Sequence, residues 1–248
     1  MTLDEYVYKK NFAISTKDAD FKKDLRISSL VNFFIQAAWK HAEELGVGYS
    51  HLSKIGVGWI FSRFKIKIHQ LPTWPGNISI TTWPKGLDRV LYIRDAELHG
   101  SDKVKLASIT SAWLVVDMHT KRLKRSLPEA EFFTRLEMKY AINEPIQALK
   151  FEEKGGISTP FKVRYNDIDM NMHLTTVRYI DFMFDTYDIE FLDKNTPKEL
   201  SVNFIKEIPF GAELIMHRYE SQDVHRFELE NSSNNLICFR AEVKYATS

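Results

Sequence analysis

The chain has 248 residues with a formal net charge of +1, 44% hydrophobic residues and 27% charged residues. This composition is typical of a soluble globular protein and argues against disorder. The near-zero charge gives no reason to expect a nucleic-acid partner, because phosphate neutralisation normally leaves a clear basic excess. No uncharged apolar stretch reaches the roughly 20 residues of a bilayer span, so no stable membrane insertion is expected.

The N-terminus, Met1 to Tyr6, shows no basic region followed by an apolar run. No signal or transit peptide is therefore visible, and a cytoplasmic location is expected. Cys238 is the only cysteine, which excludes an intrachain disulfide and a cysteine-rich metal site. It lies in an apolar, strand-like run and is interpreted as a packed thiol rather than a nucleophile. The histidines lack zinc-ligand spacing, and no metal or cofactor is expected.

In the first half, apolar residues recur at helical spacing from Ser28 to Leu45, and Gly46 then supplies a stop. Period-two alternation follows over residues 60–70, with Ser62, Phe64, Ile66, Ile68 and Gln70 on the inward face. Further strand-like runs occupy residues 77–83, 89–99 and 105–117. The predicted turns contain Pro72, Pro75 and Gly76, then Pro84 and Gly86, then Gly100 and Ser101.

The second half follows the same plan. A long, largely apolar helix is predicted after Thr175 or Thr176, either of which could serve as the N-cap. Strand-like runs then occupy residues 201–208, 212–219, 225–231 and 235–245. Each half is therefore predicted to be one helix followed by a meander of antiparallel strands.

The two halves also resemble each other residue by residue. Phe12 through Phe33 align with Phe161 through Phe182 at a constant offset of 149 (161 − 12). This repetition predicts a duplication, with one domain over residues 1–127, a linker over 128–156 and a second domain over 157–248. An apolar helix must bury its stripe against the sheet that follows it. The predicted fold is α+β: a tandem double hotdog, with two copies of a long helix packed on an antiparallel sheet.

The two copies differ chemically at one place. The alignment pairs Asp20 with Asp169, but Lys22 stands where Asn171 is, and Asp24 stands where His173 is. The polar pair suited to carbonyl chemistry therefore survives only in the second copy. Judged by spacing alone, this segment is equally well explained as ordinary loop and cap chemistry.

Ordered motifs along nearly the whole chain resemble one known family. In the first half they are Trp59 with Ser62-Arg63-Phe64, Leu71-Pro72-Thr73-Trp74-Pro75-Gly76, Thr82-Trp83, Arg94-Asp95, Ser111-Ala112-Trp113 and Thr120-Lys121-Arg122-Leu123. In the second half they are Asp167-Ile168-Asp169-Met170-Asn171-Met172-His173 with Tyr179, and Phe204-Ile205-Lys206-Glu207. The sequence is similar to the acyl-acyl carrier protein thioesterases, the double-hotdog enzymes of plant plastids and many bacteria.

The resemblance implies hydrolysis of the thioester of a fatty acyl-acyl carrier protein, which releases the free fatty acid and ends chain elongation. It places the catalytic group on Asp169, Asn171, His173 and Glu207. Attack of water on a thioester carbonyl needs a base, donors near the oxyanion and an orienting partner. His173, or Glu207 through His173, would activate water; Asn171 would hold the water or the carbonyl oxygen, and Asp169 would orient one of these side chains.

A second alignment concerns Glu207. Pairing Pro72 with Pro209, an offset of 137 (209 − 72), sets Gln70 opposite Glu207. Because Gln70 falls on the inward face by alternation, Glu207 is expected to point inward together with Asn203 and Ile205. A buried carboxylate is costly unless it is paired, which favours a functional role for Glu207.

The sequence departs from the family pattern at two places. Ile208 stands where plant members carry a cysteine, which rules out a cysteine nucleophile there, and Thr175-Thr176 replaces an Asn-Asn pair. The missing transit peptide suggests a bacterial type of chain. An acyl-coenzyme A thioesterase of the same fold, a non-catalytic acyl-binding module and a hotdog dehydratase remain as alternatives, the last disfavoured by the motif order.

The two parts of the substrate, the acyl tail and the carrier protein, are expected to bind to different surfaces. The acyl tail is expected to contact Val31 and Phe34 on the first helix, and the second copy is expected to perform hydrolysis. The acidic carrier protein would need a local basic surface. The candidates are Lys22, Lys23 and Arg26, and the run Lys121, Arg122, Lys124 and Arg125, for which a solvated loop is the simpler interpretation. A homodimer is possible.

Overall fold

The computed structural model describes residues 6–125, 127–128, 130 and 139–246. The chain divides into two compact units, Met1–Ile146 and Gln147–Ser248. Within the described residues, no helix is long and apolar enough to span a membrane. The same residues contain no group of three or more metal-binding side chains placed to hold an ion.

The first unit is an antiparallel sheet with one long helix. Its strands are β1 (Tyr8–Ile14), β2 (Val57–Ile68), β3 (Gly76–Asp88), β4 (Leu91–Gly100), β5 (Lys105–Asp117) and β6 (Leu123–Lys124). The sheet order is β1-β3-β4-β5-β2, and β6 pairs with β5. The helix α1 (Ile27–Glu44) contacts β1 and β3, and a short helix α2 (Tyr49–Leu52) follows it. The predicted stop is confirmed, since Gly46 has a left-handed φ of 74°.

The second unit has the same strand order. Its strands are β7 (Ile157–Lys162), β8 (Pro197–Phe204), β9 (Glu213–Ser221), β10 (Val224–Asn231) and β11 (Leu236–Tyr245). They are arranged as β8-β11-β10-β9-β7, all antiparallel. Two helices precede β8, namely α3 (Thr176–Phe184) and α4 (Ile189–Lys194). The sequence patterns missed β1 and β7, the strands at the two ends of the strand order.

The predicted long helix in the second half is wrong. Helix α3 has only nine residues, against 18 in α1. At its end, the Thr186 hydroxyl donates to the Met183 carbonyl at 2.8 Å, which gives a partner to one of the last helix carbonyls. Two residues past the helix, Arg218 of β9 donates to the Thr186 carbonyl.

Two predicted turn residues lie inside a strand. Pro84 and Gly86 were assigned to a turn, but β3 continues through both of them to Asp88. The register against β4 shifts between Pro84 and Gly86, so one extra residue forms a bulge. A bulge tolerates a proline because it interrupts the hydrogen-bond ladder. The reversal comes later, where Arg89 has a positive φ of 57°.

Several motif residues of the first unit form a buried polar network rather than a site. The Asp95 carboxylate is fully buried and accepts from the Thr110 hydroxyl and the Ala141 N–H, both at 2.7 Å. Lys85 Nζ lies 3.3 Å from the same carboxylate. The Trp83 indole donates to the Lys139 carbonyl at 3.0 Å. These contacts hold residues 139–141, part of the predicted linker, against the first unit.

The remainder of the predicted linker 128–156 is described in part. Residues 129 and 131–138 lie outside the described residues. Further along, the Leu149 N–H donates to the Asn203 side chain at 2.9 Å, and Arg226 lies over the Phe151 ring. Residues 149–151 therefore pack on the second unit.

The burial of His41 predicts that the stability of the protein depends on pH. His41 lies on α1 beside Arg94, whose Nη1 is 2.9 Å from His41 Nδ1. Burial, and then the charge of Arg94, lowers the pKa of His41 from 6.5 to about 3. Below pH 6.5 the unfolded chain takes up a proton that the folded protein does not. We therefore expect the free energy of unfolding to fall as the pH drops, by about 1.4 kcal/mol per pH unit from this group.

Denaturant unfolding at pH 7, 6 and 5 would measure this slope. His41→Gln keeps a hydrogen-bond acceptor but cannot titrate, so it should flatten the dependence. The matched control is His51→Gln, since His51 is exposed. An unchanged slope in His41→Gln would show that other groups set the acid sensitivity.

Candidate active site

The predicted catalytic residues begin on a tight turn of the second unit. Asp169 Oδ1 accepts from the Asn171 N–H at 2.8 Å and from the His173 N–H at 3.1 Å. The Asp169 N–H donates to the His173 carbonyl at 2.8 Å, and Met172 has a positive φ of 63°. The turn is held by the carboxylate of Asp169, and it presents Asn171 and His173 on the same loop.

A second segment, residues 205–210, lies against this turn. The Leu174 N–H donates to the Ile208 carbonyl at 2.7 Å, and the Phe210 N–H donates to the Met172 carbonyl at 3.1 Å. His173 and Pro209 form an isolated antiparallel bridge. These backbone contacts place the Glu207 side chain next to His173.

The central pair of the site is His173 and Glu207. His173 Nε2 lies 3.7 Å from Glu207 Oε2, and the two side chains are 30% and 47% exposed. At this distance the carboxylate faces the imidazole nitrogen, while both groups remain open to water. Such a pair can accept a proton from an attacking water molecule.

Asn171 and Asp169 complete the predicted set. Asn171 Nδ2 is 3.3 Å from Asp169 Oδ2, so Asp169 orients the Asn171 amide as well as the loop backbone. Both residues are exposed. The structure thus brings together Asp169, Asn171 and His173 on one turn, and Glu207 on the segment beside it.

The prediction that Glu207 points inward is wrong. Strand β8 ends at Phe204, and the N–H groups of Ile205 and Lys206 both donate to the Cys238 carbonyl, at 2.8 and 3.1 Å. Alternation between the two faces stops at this bulge, because two consecutive residues share one acceptor. Asn203 is buried as expected, but Ile205 and Glu207 are exposed.

The first unit contains the same turn without the catalytic side chains. Asp20 Oδ1 accepts from the Lys22 and Asp24 N–H groups, both at 2.9 Å, and Lys23 has a φ of 67°. The Trp74 N–H donates to the Lys23 carbonyl at 2.8 Å, as that of Phe210 does to Met172. Because this copy has no histidine or amide on the turn, the shared role of Asp20 and Asp169 is to build the turn.

The hydrogen bonds also correct the second alignment. In the first unit Leu25 donates to the Pro72 carbonyl, and in the second unit Leu174 donates to the Ile208 carbonyl. The offset between these acceptors is 136 (208 − 72), so Leu71, not Gln70, is the counterpart of Glu207. Gln70 is exposed and not on the inward face, because β2 ends at Ile68.

Tyr179 on α3 supports the Glu207 segment. Its hydroxyl donates to the Lys206 carbonyl at 3.4 Å, and its ring contacts Phe204 and Phe239. Burial, with smaller contributions from Cys238 and Glu207, raises the pKa of Tyr179, which keeps the phenol protonated. The sequence motif included Tyr179 but gave it no role, since its contact is made with a residue 27 positions away.

The N-cap of α3 is Thr175, but its side chain makes no capping hydrogen bond. The Thr175 N–H instead donates to the Asp167 carbonyl at 2.8 Å. Asp167 is buried and pairs with Arg178 at 2.8 Å. These contacts fix the start of α3 at Thr176, three residues after His173.

Cys238 is buried, and burial raises the pKa of its thiol. Its carbonyl accepts from the N–H groups of Ile205 and Lys206 in the site segment. We expect Cys238→Ser to leave kcat within about twofold of wild type, because no side-chain function is lost. Hydrolysis abolished by a thiol-blocking reagent, with the fold intact by circular dichroism, would contradict this prediction.

The predicted tail-binding residues, Val31 and Phe34, are buried on α1. A cavity opens further along the same helix and does not include them. It is lined by Ala38, Trp39, Ala42, Val47, Trp59, Arg94 and Trp113. Apart from Arg94, its side chains are apolar.

Comparisons with known proteins agree with the motifs. Family models match at residues 5–131 (Acyl-ACP thioesterase N-terminal domain) and 151–246 (Acyl-ACP thioesterase C-terminal domain). Two Arabidopsis thaliana proteins, oleoyl-acyl carrier protein thioesterase 2 and palmitoyl-acyl carrier protein thioesterase, are 24% and 22% identical over 221 and 223 residues. Each alignment covers 82% of this chain, and 60% and 53% of the relatives. The chain thus spans little more than half the length of these curated relatives.

Solved structures share the fold. An acyl-ACP thioesterase from Bacteroides thetaiotaomicron superposes with a TM-score of 0.90 at 22% identity, covering 99% of this chain and 100% of that one. A 12:0-ACP thioesterase from Umbellularia californica gives a TM-score of 0.86 at 17% identity, covering 98% of each chain. The family models together match most of the chain, with the site turn and the Glu207 segment inside the second match. The chain belongs to the acyl-ACP thioesterase family.

Proposed function

We propose that this protein hydrolyses the thioester of a fatty acyl-acyl carrier protein, releasing the free fatty acid and ending chain elongation. The observation that carries the proposal is the His173–Glu207 pair, 3.7 Å apart and open to water, beside Asn171. The equivalent turn in the first unit has Lys22 and Asp24 in place of Asn171 and His173. The turn therefore forms without an amide or an imidazole at these positions, and a purely structural role does not require them.

The chemistry assigned to the site is general base catalysis. His173, oriented by Glu207, takes a proton from water while the water oxygen attacks the thioester carbon. The carbonyl oxygen becomes an oxyanion, stabilised by the Asn171 amide and by N–H groups at the start of α3. The carbon–sulfur bond then breaks, and the thiol leaves with the proton that His173 returns. Asp169 positions Asn171 and the loop, and does not itself exchange protons.

The fold that accompanies this function is, in our proposal, a tandem double hotdog produced by duplication. The support is internal repetition. The strands of both units have the same order, and both units carry the same aspartate-held turn before a helix. The ring stacking of Phe12 on Phe33 and of Phe161 on Phe182 also repeats, at 4.6 Å in each unit.

We also propose a division of labour, in which the first unit lodges the acyl tail and the second unit hydrolyses the thioester. Ala38→Phe, in the apolar cavity beside α1, should therefore shift the preference toward shorter acyl chains, because the added volume shortens that pocket. Turnover of a series of acyl lengths measures the shift. Ser29→Leu, on the less buried side of α1, is the matched control. A uniform loss across all lengths would place the tail elsewhere.

The function itself is tested with a panel of acyl chains carried by acyl carrier protein and by coenzyme A. Faster hydrolysis of the protein-bound substrates supports the proposal. Preference for coenzyme A thioesters would favour the alternative, an acyl-coenzyme A thioesterase of the same fold. Tight acyl binding without turnover would indicate a non-catalytic acyl-binding module.

A further inference from the structure

Exposed apolar side chains are concentrated around the candidate active site. The described part of the second unit has eight large hydrophobic side chains that are exposed; four of them lie in the two segments that form the site, and a fifth, Tyr165, lies four residues before Asp169. We call these five the site rim: Tyr165, Met170, Met172, Ile205 and Phe210. Tyr165 and Met170 are 81% and 72% exposed. Scattered apolar residues are normal on a surface, but a cluster beside a site indicates a contact surface.

Backbone hydrogen bonds join the two segments that carry four of the five rim residues. The Phe210 N–H donates to the Met172 carbonyl at 3.1 Å, and Leu174 donates to the Ile208 carbonyl at 2.7 Å. These bonds hold residues 205–210 against the turn that carries His173. Two of the five side chains are methionines, whose flexible, polarisable side chains suit a surface that must adapt to a partner.

The charges within these segments favour an acidic partner. Arg164 and Lys206 are exposed, and no ion pair involves either of them among the described residues. The carboxylates are engaged: Asp169 accepts from loop N–H groups, Asp167 pairs with Arg178, and Glu207 faces His173. Arg164 and Lys206 are therefore the exposed cations beside the rim that can meet acidic groups of a partner.

We propose that the site rim, with Lys206 and Arg164, is the docking surface for the acyl carrier protein; this rests on the proposed function. A carrier protein holds its acyl group through the thioester, so the thioester reaches His173 only if the carrier docks beside the site. Apolar contacts to the rim supply affinity, and the two cations complement the carrier's acidic surface. This location differs from the basic groups of the first unit that the sequence suggested.

The test compares two substrates with the same acyl chain, one on the carrier protein and one on N-acetylcysteamine, a small thiol. Tyr165→Glu, Met170→Glu and Lys206→Gln should each raise KM for the protein-bound substrate about tenfold at low salt, the scale of losing one well-placed contact. The kcat/KM for the small thioester should change by less than about twofold, because the reacting groups are untouched.

Two matched controls use apolar residues of similar exposure. Ile189→Glu replaces a side chain on α4 that is 53% exposed, and Phe21→Glu replaces the counterpart of Met170 in the first unit, 51% exposed. Neither should change KM for the carrier substrate. Equal effects of the rim variants on both substrates would overturn the proposal, as would a rise in KM confined to Lys121→Glu or Lys23→Glu.

A direct binding measurement tests the docking surface independently of the proposed hydrolysis. Fluorescence anisotropy of labelled acyl carrier protein with the His173→Ala protein reports docking without turnover. Weaker binding in His173→Ala proteins that also carry Tyr165→Glu or Met170→Glu supports the docking surface, even if the wild-type protein were to hydrolyse no thioester. Unchanged binding in both would overturn the docking surface and leave the hydrolase proposal standing.

Discussion

His173→Ala should lower kcat by two or more orders of magnitude, the scale of losing a general base, and leave the fold intact. His173 is only partly buried, and its imidazole contacts Glu207 at 3.7 Å, so its removal leaves no large cavity. The measurement is steady-state hydrolysis of an acyl-acyl carrier protein, with circular dichroism and thermal unfolding as checks on the fold.

The duplication provides the control for this variant. Asp24 occupies the position of His173 in the first unit, on a turn of the same geometry. Asp24→Ala should leave kcat within about twofold of wild type, because that copy lacks the amide and the imidazole. Near-normal turnover in His173→Ala would remove this residue from the mechanism. An equal loss in Asp24→Ala would mean that the first turn also takes part.

Glu207→Ala should also lower kcat, by about two orders of magnitude, because the imidazole loses the carboxylate that orients it. Glu207 is exposed, so the loss should come without a change in the unfolding midpoint. Glu213→Ala is the control, since Glu213 is an exposed carboxylate of the same unit, paired with Lys162 at 2.9 Å. A Glu207→Ala protein with normal turnover would reduce the site to His173 and Asn171.

The double variant His173→Ala/Glu207→Ala tests whether the two residues act together. If Glu207 works through His173, the double variant should lose about as much activity as His173→Ala alone, because residues that act as a unit are not additive. Multiplied losses would indicate that Glu207 contacts the water or the substrate independently. Either result is measured with the same assay.

The turn that carries the site could be predicted from the sequence because its chemistry is local. In both copies an aspartate accepts from N–H groups two and four residues later, at 2.8 to 3.1 Å. Such contacts depend on the order of neighbouring residues. The two segments that align at an offset of 149 therefore form the same turn. The inward alternation of Ser62, Phe64, Ile66 and Ile68 was predictable for the same reason, and all four are buried.

The errors in the prediction all involve contacts between distant residues. Just past the end of the short helix α3, Arg218 donates to the Thr186 carbonyl from 32 positions away. Strand β3 passes through Pro84 and Gly86 because its register against β4 absorbs a bulge. Periodicity within one segment carries no information about a partner supplied by another strand.

Glu207 shows this division most clearly. The motif identified Glu207 as a candidate. It did not predict the direction of the Glu207 side chain or its proximity to His173. Two consecutive N–H groups share the Cys238 carbonyl, which ends the alternation and turns Glu207 outward. Backbone pairing of residues 208–210 with residues 172–174 then brings it within 3.7 Å of His173, across 34 positions of sequence (207 − 173). Residue types and local turns are properties of neighbouring residues, whereas the proximity of an acid and a base from separate segments depends on hydrogen bonds between those segments.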